Sequence, residues 1–139
     1  MEDILELIFK RRSIRIYDRK KLDKETITKL MQAAMAAPSG SNSRPWEFVV
    51  VTDEEILDKM RSKLKYGNYN APAAVVVCGN IAIAQNESAT RNWVQDCSAA
   101  TQNLLLAAAG LGLGTCWVAS YPKEDVMAML RGILDIPEE

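Results

Sequence analysis

The sequence predicts a single α/β or α+β domain with few strands and one central helix. Three observations predict it. Short apolar runs of strand length occur at residues 46–51, 73–78 and 115–119. Amphipathic segments with helical spacing separate them. One long Ala- and Leu-rich stretch, residues 89–111, precedes the last run.

Taken in order, Ile4, Leu5 and Ile8 stand at helical spacing and predict a short first helix. Asp23 predicts an N-cap, with Leu22 and Ile27 at the two positions of a hydrophobic staple. Ile27, Leu30, Met31 and Ala34 then share one face, and that helix must end before Pro38. Residues 38–45 read Pro-Ser-Gly-Ser-Asn-Ser-Arg-Pro, a loop by composition. Residues 46–51 are dense in β-branched and aromatic side chains, which suits a strand. Thr52-Asp53-Glu54-Glu55 reads as a capping box opening a helix that reaches about Leu64. Residues 66–70 form a loop, and residues 73–78 form a second strand. The long stretch is apolar nearly all round beyond Asn103, so this helix is expected to be buried on most sides. Gly112 and Gly114 break it, and residues 115–119 follow as a buried strand. Pro122 starts a last helix, with Val126, Met129 and Leu130 inward, fading near Asp135.

Composition bounds the function. The 139 residues form one domain, 1–139, with no repeat or linker. Hydrophobic residues make up 48% and charged residues 25%, the balance of a globular chain and not of a disordered one. A net charge of −1 argues against a protein that coats nucleic acid. Histidine is absent, which excludes a Ser-His-Asp triad, a Cys-His pair and an HExxH zinc site. Cys78, Cys97 and Cys116 are odd in number and form no CxxC, so they give neither a disulfide framework nor a zinc set. They suit a reducing compartment. Glu2, Asp3 and Glu6 stand where a signal peptide would be basic. The uncharged run 97–122 carries Ser98, Thr101, Gln102, Asn103 and glycines, and reads as a helix entering a strand and not as a membrane span. A soluble cytoplasmic protein is expected, with no nucleic-acid or membrane partner.

Three segments could carry chemistry. Residues 10–21 hold seven of the 17 basic residues, opposed only by Asp18. Within them, Arg11-Arg12-Ser13-Ile14-Arg15 reads equally as a phosphate clamp, using guanidinium forks and a hydroxyl, or as a solvated basic loop. The 38–45 loop, with its small hydroxyl residues and Gly40, lets backbone approach a ligand, or is a plain connection. Gly112-Leu113-Gly114-Thr115-Cys116-Trp117 lies at a helix-to-strand turn, the reverse of a dinucleotide fingerprint. Cys116 has no visible base to activate it and reads better as an inert thiol than as a nucleophile.

Together and in this order, these segments resemble the nitroreductase family of FMN-dependent oxidoreductases. The resemblance rests on Arg11 to Arg15, on Ala37-Pro38-Ser39-Gly40-Ser41-Asn42-Ser43-Arg44-Pro45-Trp46, on Trp93-Val94-Gln95-Asp96 leading into Ala100 to Ala108, and on Gly110 to Trp117. It covers essentially the whole chain. It implies an α+β sandwich: a mixed central sheet surrounded by helices, with the long helix at a homodimer interface. It implies FMN between the subunits. Arg11, Arg12, Ser13 and Arg15 would bind the phosphate and ribityl chain from one subunit. Pro38, Ser39 and Gly40, with Asn42 near them, would flank the flavin ring from the other. Cys116, Trp117 and Val118 would line the ring, largely through backbone. Asn68 or Asn70 is a further candidate. The implied reaction is a ping-pong transfer of hydride from NADH or NADPH, via flavin N5, to a nitroaromatic, quinone or similar small acceptor. No dedicated protein acid or base is needed, which the absence of histidine permits.

One departure is visible. Chains of the family usually continue past the Leu134-Asp135-Ile136-Pro137-Glu138 region with another strand and a basic segment, whereas this sequence stops at Glu139. A missing strand would leave an exposed sheet edge. Natural shortness, truncation and a tail beyond Glu139 all stay open. Two other readings accompany the main one. A relative with a specialised acceptor, such as a dehalogenase, would need a lid, and only residues 63–71 and 80–91 offer room for one. A non-catalytic flavin-binding module is the other.

Overall fold

The computed structural model describes residues 3–138. Glu2 of the acidic start and Glu139 of the expected terminal loop therefore lie outside the described residues. The elements follow the expected order almost throughout. Helix α1 spans Ile4–Lys10 and is capped by Asp3, whose carboxylate accepts the Leu5 amide at 3.1 Å. A non-helical strap then leads to α2, Lys24–Met35. Asp23 caps α2 by accepting the Thr26 amide at 2.7 Å, a bond that holds its carboxyl below the ordinary range.

Strands β1, Trp46–Val51, and β2, Ala74–Gly79, pair antiparallel, with Trp46 opposite Gly79 and Val51 opposite Ala74. Between them lies α3, Glu54–Lys63. Its cap sits one residue later than a Thr52 box would place it: the Asp53 carboxylate accepts the Ile56 amide at 3.0 Å. An ionised acceptor makes the stronger bond to a helix N-terminus, so the aspartate takes the cap. Helix α4, Ala89–Gly110, is the long central element, and α5, Glu124–Leu134, closes the chain. Pro122 stands just ahead of α5.

Successive strand residues point to opposite faces, and both faces are covered. Phe48 and Val75 pack with Leu30, Ala34, Ala100, Leu104 and Ala108, from α2 and α4. Val49 and Val76 pack with Leu57, Met60 and Leu130, from α3 and α5. Ala34, Ala100 and Ala108 are wholly buried, and their small size lets α2 and α4 approach closely.

Two expectations need correction. Residues 115–119 do not form a strand. They make a single parallel bridge, Ser13 to Thr115, in which the Ile14 amide donates to the Thr115 carbonyl at 2.8 Å. A strand needs a partner over several successive residues, and among the described residues this segment meets one only at its start. Among the described residues the sheet is the antiparallel β1–β2 pair, and the Ser13–Thr115 bridge stands apart from it, so the expected mixed pairing is not seen. Nor is α4 buried on most sides beyond Asn103. Leu104, Leu105 and Ala108 are buried, but Leu106, Ala107 and Ala109 are half-buried and Leu111 is exposed. On α1, Ile4, Leu5, Ile8 and Phe9 are exposed as well.

Candidate functional site

The basic strap is held against the segment that follows α4. The Ser13–Thr115 bridge fixes it, and Gly114 is required there. A Cβ on Gly114 would stand 2.8 Å from Cγ2 of Ile14. Four expected site residues, Arg11, Arg12, Ser13 and Arg15, lie on this strap, and all but the half-buried Arg11 are exposed. Their guanidinium groups differ in what they can do. Arg12 turns back on the chain and donates to the carbonyls of Phe9 and Arg11, the latter at 2.9 Å. Arg15 donates through Nε to the Tyr69 hydroxyl at 3.2 Å, and that bond, with the Cys116 thiol nearby, raises its pKa. Among the described residues no carboxylate pairs with Arg11, Arg12 or Arg15. Arg11 and Arg15 thus present cationic forks with no internal anion, which fits a phosphate. Further along, Arg19 reaches Asn70 at 2.8 Å and Glu54 at 3.4 Å. Arg15 and Arg19 therefore tie the strap to the 66–70 loop, which employs Asn70 structurally.

The 38–45 loop is built differently. Ser41, Asn42 and Arg44 have φ of 51°, 54° and 49°, the left-handed region, although none is glycine. Such residues cost about 1–2 kcal/mol each, less for asparagine. Outside partners hold the loop in place. The buried Asp96 carboxylate, on α4, accepts the Gly40 amide at 2.8 Å and the Ser43 hydroxyl at 3.2 Å. The backbone carbonyl of Asp96 accepts the Trp46 indole N–H at 3.1 Å. Asn86 donates to the Ser41 carbonyl at 2.8 Å, and the Gln85 amide to that of Ser43 at 2.8 Å. Ser39 Oγ accepts the Arg44 amide at 3.0 Å. Gly40 is glycine because α4 packs on it: a Cβ would lie 2.7 Å from Ser88 Oγ and 3.1 Å from Asn92 Nδ2. Its openness thus serves the α4 contact. Of the expected site residues in the loop, Pro38 and Asn42 are exposed and Ser39 and Gly40 half-buried; Ser41 and Arg44 are exposed too.

Cys116, Trp117 and Val118 line a cavity of about 520 Å³ between β2 and the 113–121 segment. Leu57, Met60, Leu104 and Leu105 wall it above and below, and Tyr17, Tyr69 and Tyr121 stand among its lining. Trp93 meets Tyr121 edge-to-face there, with centroids 4.8 Å apart. The Cys116 thiol lies near Arg15 and Tyr17; burial first, then that thiol, pushes the Tyr17 phenol up. Cys97, also at the cavity, is pushed up to about 12 by burial and by Asp96, the behaviour of an inert thiol. Among the described residues no group of acidic or cysteine side chains could hold a metal, and no helix is long and apolar enough to cross a membrane.

One protomer therefore assembles two of the three expected groups. The strap and residues 116–118 meet at the C-terminal end of α4, where Leu7 also packs near Gly110. The 38–42 loop sits at the level of Asp96, about four helical turns, or about 20 Å, back along α4. Asp96 itself is the residue that sequence reasoning left without a role.

Residues 8–68 and 61–139 match the profile of the Nitroreductase family. A protein of Archaeoglobus fulgidus, named for NADH dehydrogenase/NAD(P)H nitroreductase activity, is 47% identical over 99% of this chain and 79% of its own length. A crystal structure of a similarly named protein from Bacteroides thetaiotaomicron superposes with a TM-score of 0.87 at 45% identity, covering 97% of this chain and 78% of that one. The FMN-dependent nitroreductase from Clostridium difficile R20291 gives 0.80 at 33% identity, covering 96% and 79%.

Proposed function

The chain belongs to the nitroreductase family, and on that basis we propose an FMN-dependent NAD(P)H oxidoreductase whose site two copies of the chain share. Bound FMN would supply the redox chemistry, taking electrons from NADH or NADPH and passing them to nitroaromatic, quinone or similar small acceptors in alternating half-reactions. The protein's own part is to bind and orient. Arg11 and Arg15, with no internal carboxylate partner, would hold the cofactor phosphate, and the Ser13 hydroxyl would add a neutral donor. Arg12, occupied by carbonyls, would contribute its field. Residues 116–118 would line the ring from the same protomer. Pro38, Ser39, Gly40 and Asn42 would flank it from the other.

The observation that carries this reading is the separation of the outward loop from the cationic strap along α4. An antiparallel pairing of two α4 helices about a two-fold axis brings the loop of one copy to the strap of its partner. The half-buried Leu106, Ala107 and Ala109 and the exposed apolar residues of α1 are suited to such an interface. Three free cysteines support a reducing compartment such as the cytoplasm.

The test is an absorption spectrum of the purified protein with added FMN, before and after anaerobic NADH. Flavin bands that stay with the protein on desalting and bleach with NADH support the oxidoreductase. Bands that persist in NADH and NADPH leave a flavin-binding module without reductase activity. Protein that takes up no FMN refutes the assignment of the cofactor.

A further inference from the structure

The loop expected to meet the flavin adopts a conformation that its own residues disfavour. Ser41, Asn42 and Arg44 are all left-handed, and the loop's own bonds, from the Asn42 and Ser43 amides to the Ser39 and Gly40 carbonyls and from the Arg44 amide to Ser39 Oγ, are supplemented from outside it. Asp96 is placed to supply that outside hold. It is 4% exposed, among the most buried polar residues described, and it lies on the same face of α4 as Cys97, Ala100 and Leu104. A carboxyl on such an apolar face is costly unless donors satisfy it. Here both donors come from one loop: Gly40 N–H to one oxygen at 2.8 Å, and Ser43 O–H to the other at 3.2 Å. Each oxygen takes one end of the left-handed stretch. The backbone of the same residue anchors Trp46, where the loop enters β1.

We propose that Asp96 is a positioning residue for the cofactor, holding the Gly40 amide and the Ser43 hydroxyl so that Pro38, Ser39 and Asn42 present a preformed outward surface to the flavin of the partner copy. The proposal rests on the reading that this loop meets FMN. Its first effect, a fixed loop, exists before any cofactor binds. Holding the loop beforehand spares FMN the cost of ordering it, so loss of Asp96 weakens binding without removing a direct contact.

Three variants test it, with hydrogen exchange of the cofactor-free protein and FMN titration as readouts. Asp96→Ala removes both acceptors. The amides of residues 40–44 should then exchange faster while β2 stays protected, and FMN should bind about 10- to 100-fold more weakly. Asp96→Asn keeps an oxygen for the Gly40 amide and offers Ser43 an N–H, so loop protection, FMN affinity and the bound flavin's visible circular dichroism should all be restored to near wild type. If Asp96→Ala fails to fold, Gly40→Ala replaces it. The added methyl, 2.7 Å from Ser88 Oγ and 3.3 Å from Asn92 Cβ, crowds the loop's seat on α4 and should strain the amide–carboxylate bond without altering Asp96. That variant should show the same faster exchange. Unchanged exchange and affinity in Asp96→Ala, or in Gly40→Ala where it stands in, overturns the proposal. So does an Asp96→Asn variant as impaired as Asp96→Ala, because geometry would then not be what Asp96 supplies. Wild-type protein that takes up no FMN defeats the functional reading instead, and the exchange comparison still decides whether Asp96 holds the loop.

Discussion

Two crippled variants should restore each other if the site is shared between copies. Arg15→Ala removes a cationic fork from the strap. Gly40→Ala places a methyl 2.7 Å from Ser88 Oγ, 3.1 Å from Asn92 Nδ2 and 3.3 Å from Asn92 Cβ, which disturbs the loop's seat on α4. Each homodimer carries the same defect in both of its sites and should bind FMN about tenfold or more weakly. Now mix the two chains and let subunits exchange. Random pairing makes about half of the dimers mixed. In a mixed dimer, one site combines both defects. The other combines the intact loop of the Arg15→Ala chain with the intact strap of the Gly40→Ala chain. One good site in each mixed dimer amounts to about a quarter of wild-type capacity. The arithmetic follows from the distance between loop and strap along α4, which prevents one chain from supplying both. The assay is tight FMN uptake, read by fluorescence quenching, before and after exchange in mild denaturant. A mixture that binds no more than its two components separately would refute the shared site. So would a wild-type monomer that binds FMN.

Other predictions concern the framework. Leu104→Ala, in the cluster between α2, α4 and the sheet, should lower unfolding free energy by about 2–5 kcal/mol in urea titrations. Gly79→Ala would place a Cβ 2.4 Å from Trp93 Cε3, and should cost about 1–3 kcal/mol while the near-ultraviolet signal of the Trp93–Tyr121 pair is lost on heating at a lower temperature. Cys97 has a folded pKa of about 12 against an ordinary 9.0, so the unfolded chain loses its proton first as pH rises. The contribution is complete below pH 9.0 and is lost on the way to about 12, at up to about 1.4 kcal/mol per pH unit. Urea midpoints on both sides of that window should fall more steeply in the wild type than in Cys97→Ala.

Legibility in the sequence followed locality. Asp23 and Leu30 announce α2 because a cap and an apolar face need only nearby residues. The β1–β2 pair shows in its run of valines and aromatics. Residues 115–119 carry the same signal but, among the described residues, pair only at Thr115, and propensity cannot report whether a ladder partner exists. The cap of α3 moved from Thr52 to Asp53 because two adjacent residues could both serve and the stronger acceptor prevailed. At the site, the basic cluster of the strap was legible as charge. That Arg12 spends its guanidinium on carbonyls was not, since that depends on how the chain turns after α1. Asp96 did leave a signal: an acid at helical spacing with Cys97, Ala100 and Leu104, on a face otherwise apolar. A carboxyl in that position must have donors from elsewhere in the fold, but the sequence does not say which.

Residues 74–77 of β2 line the cavity, and the strand is half-buried along its whole length. Sheet margins commonly resist sticking to other molecules by displaying lysine or proline. Residues 74–79 contain neither. Cover here comes from the cavity's other lining residues, Tyr17, Tyr69, Trp117 and Tyr121 among them, and the tethers from Arg15 and Arg19 hold the 66–70 wall beside them. Solubility is thereby coupled to the integrity of that wall. Damage to the tethers should show first as slow, concentration-dependent clumping of still-folded protein, before any loss of helical content.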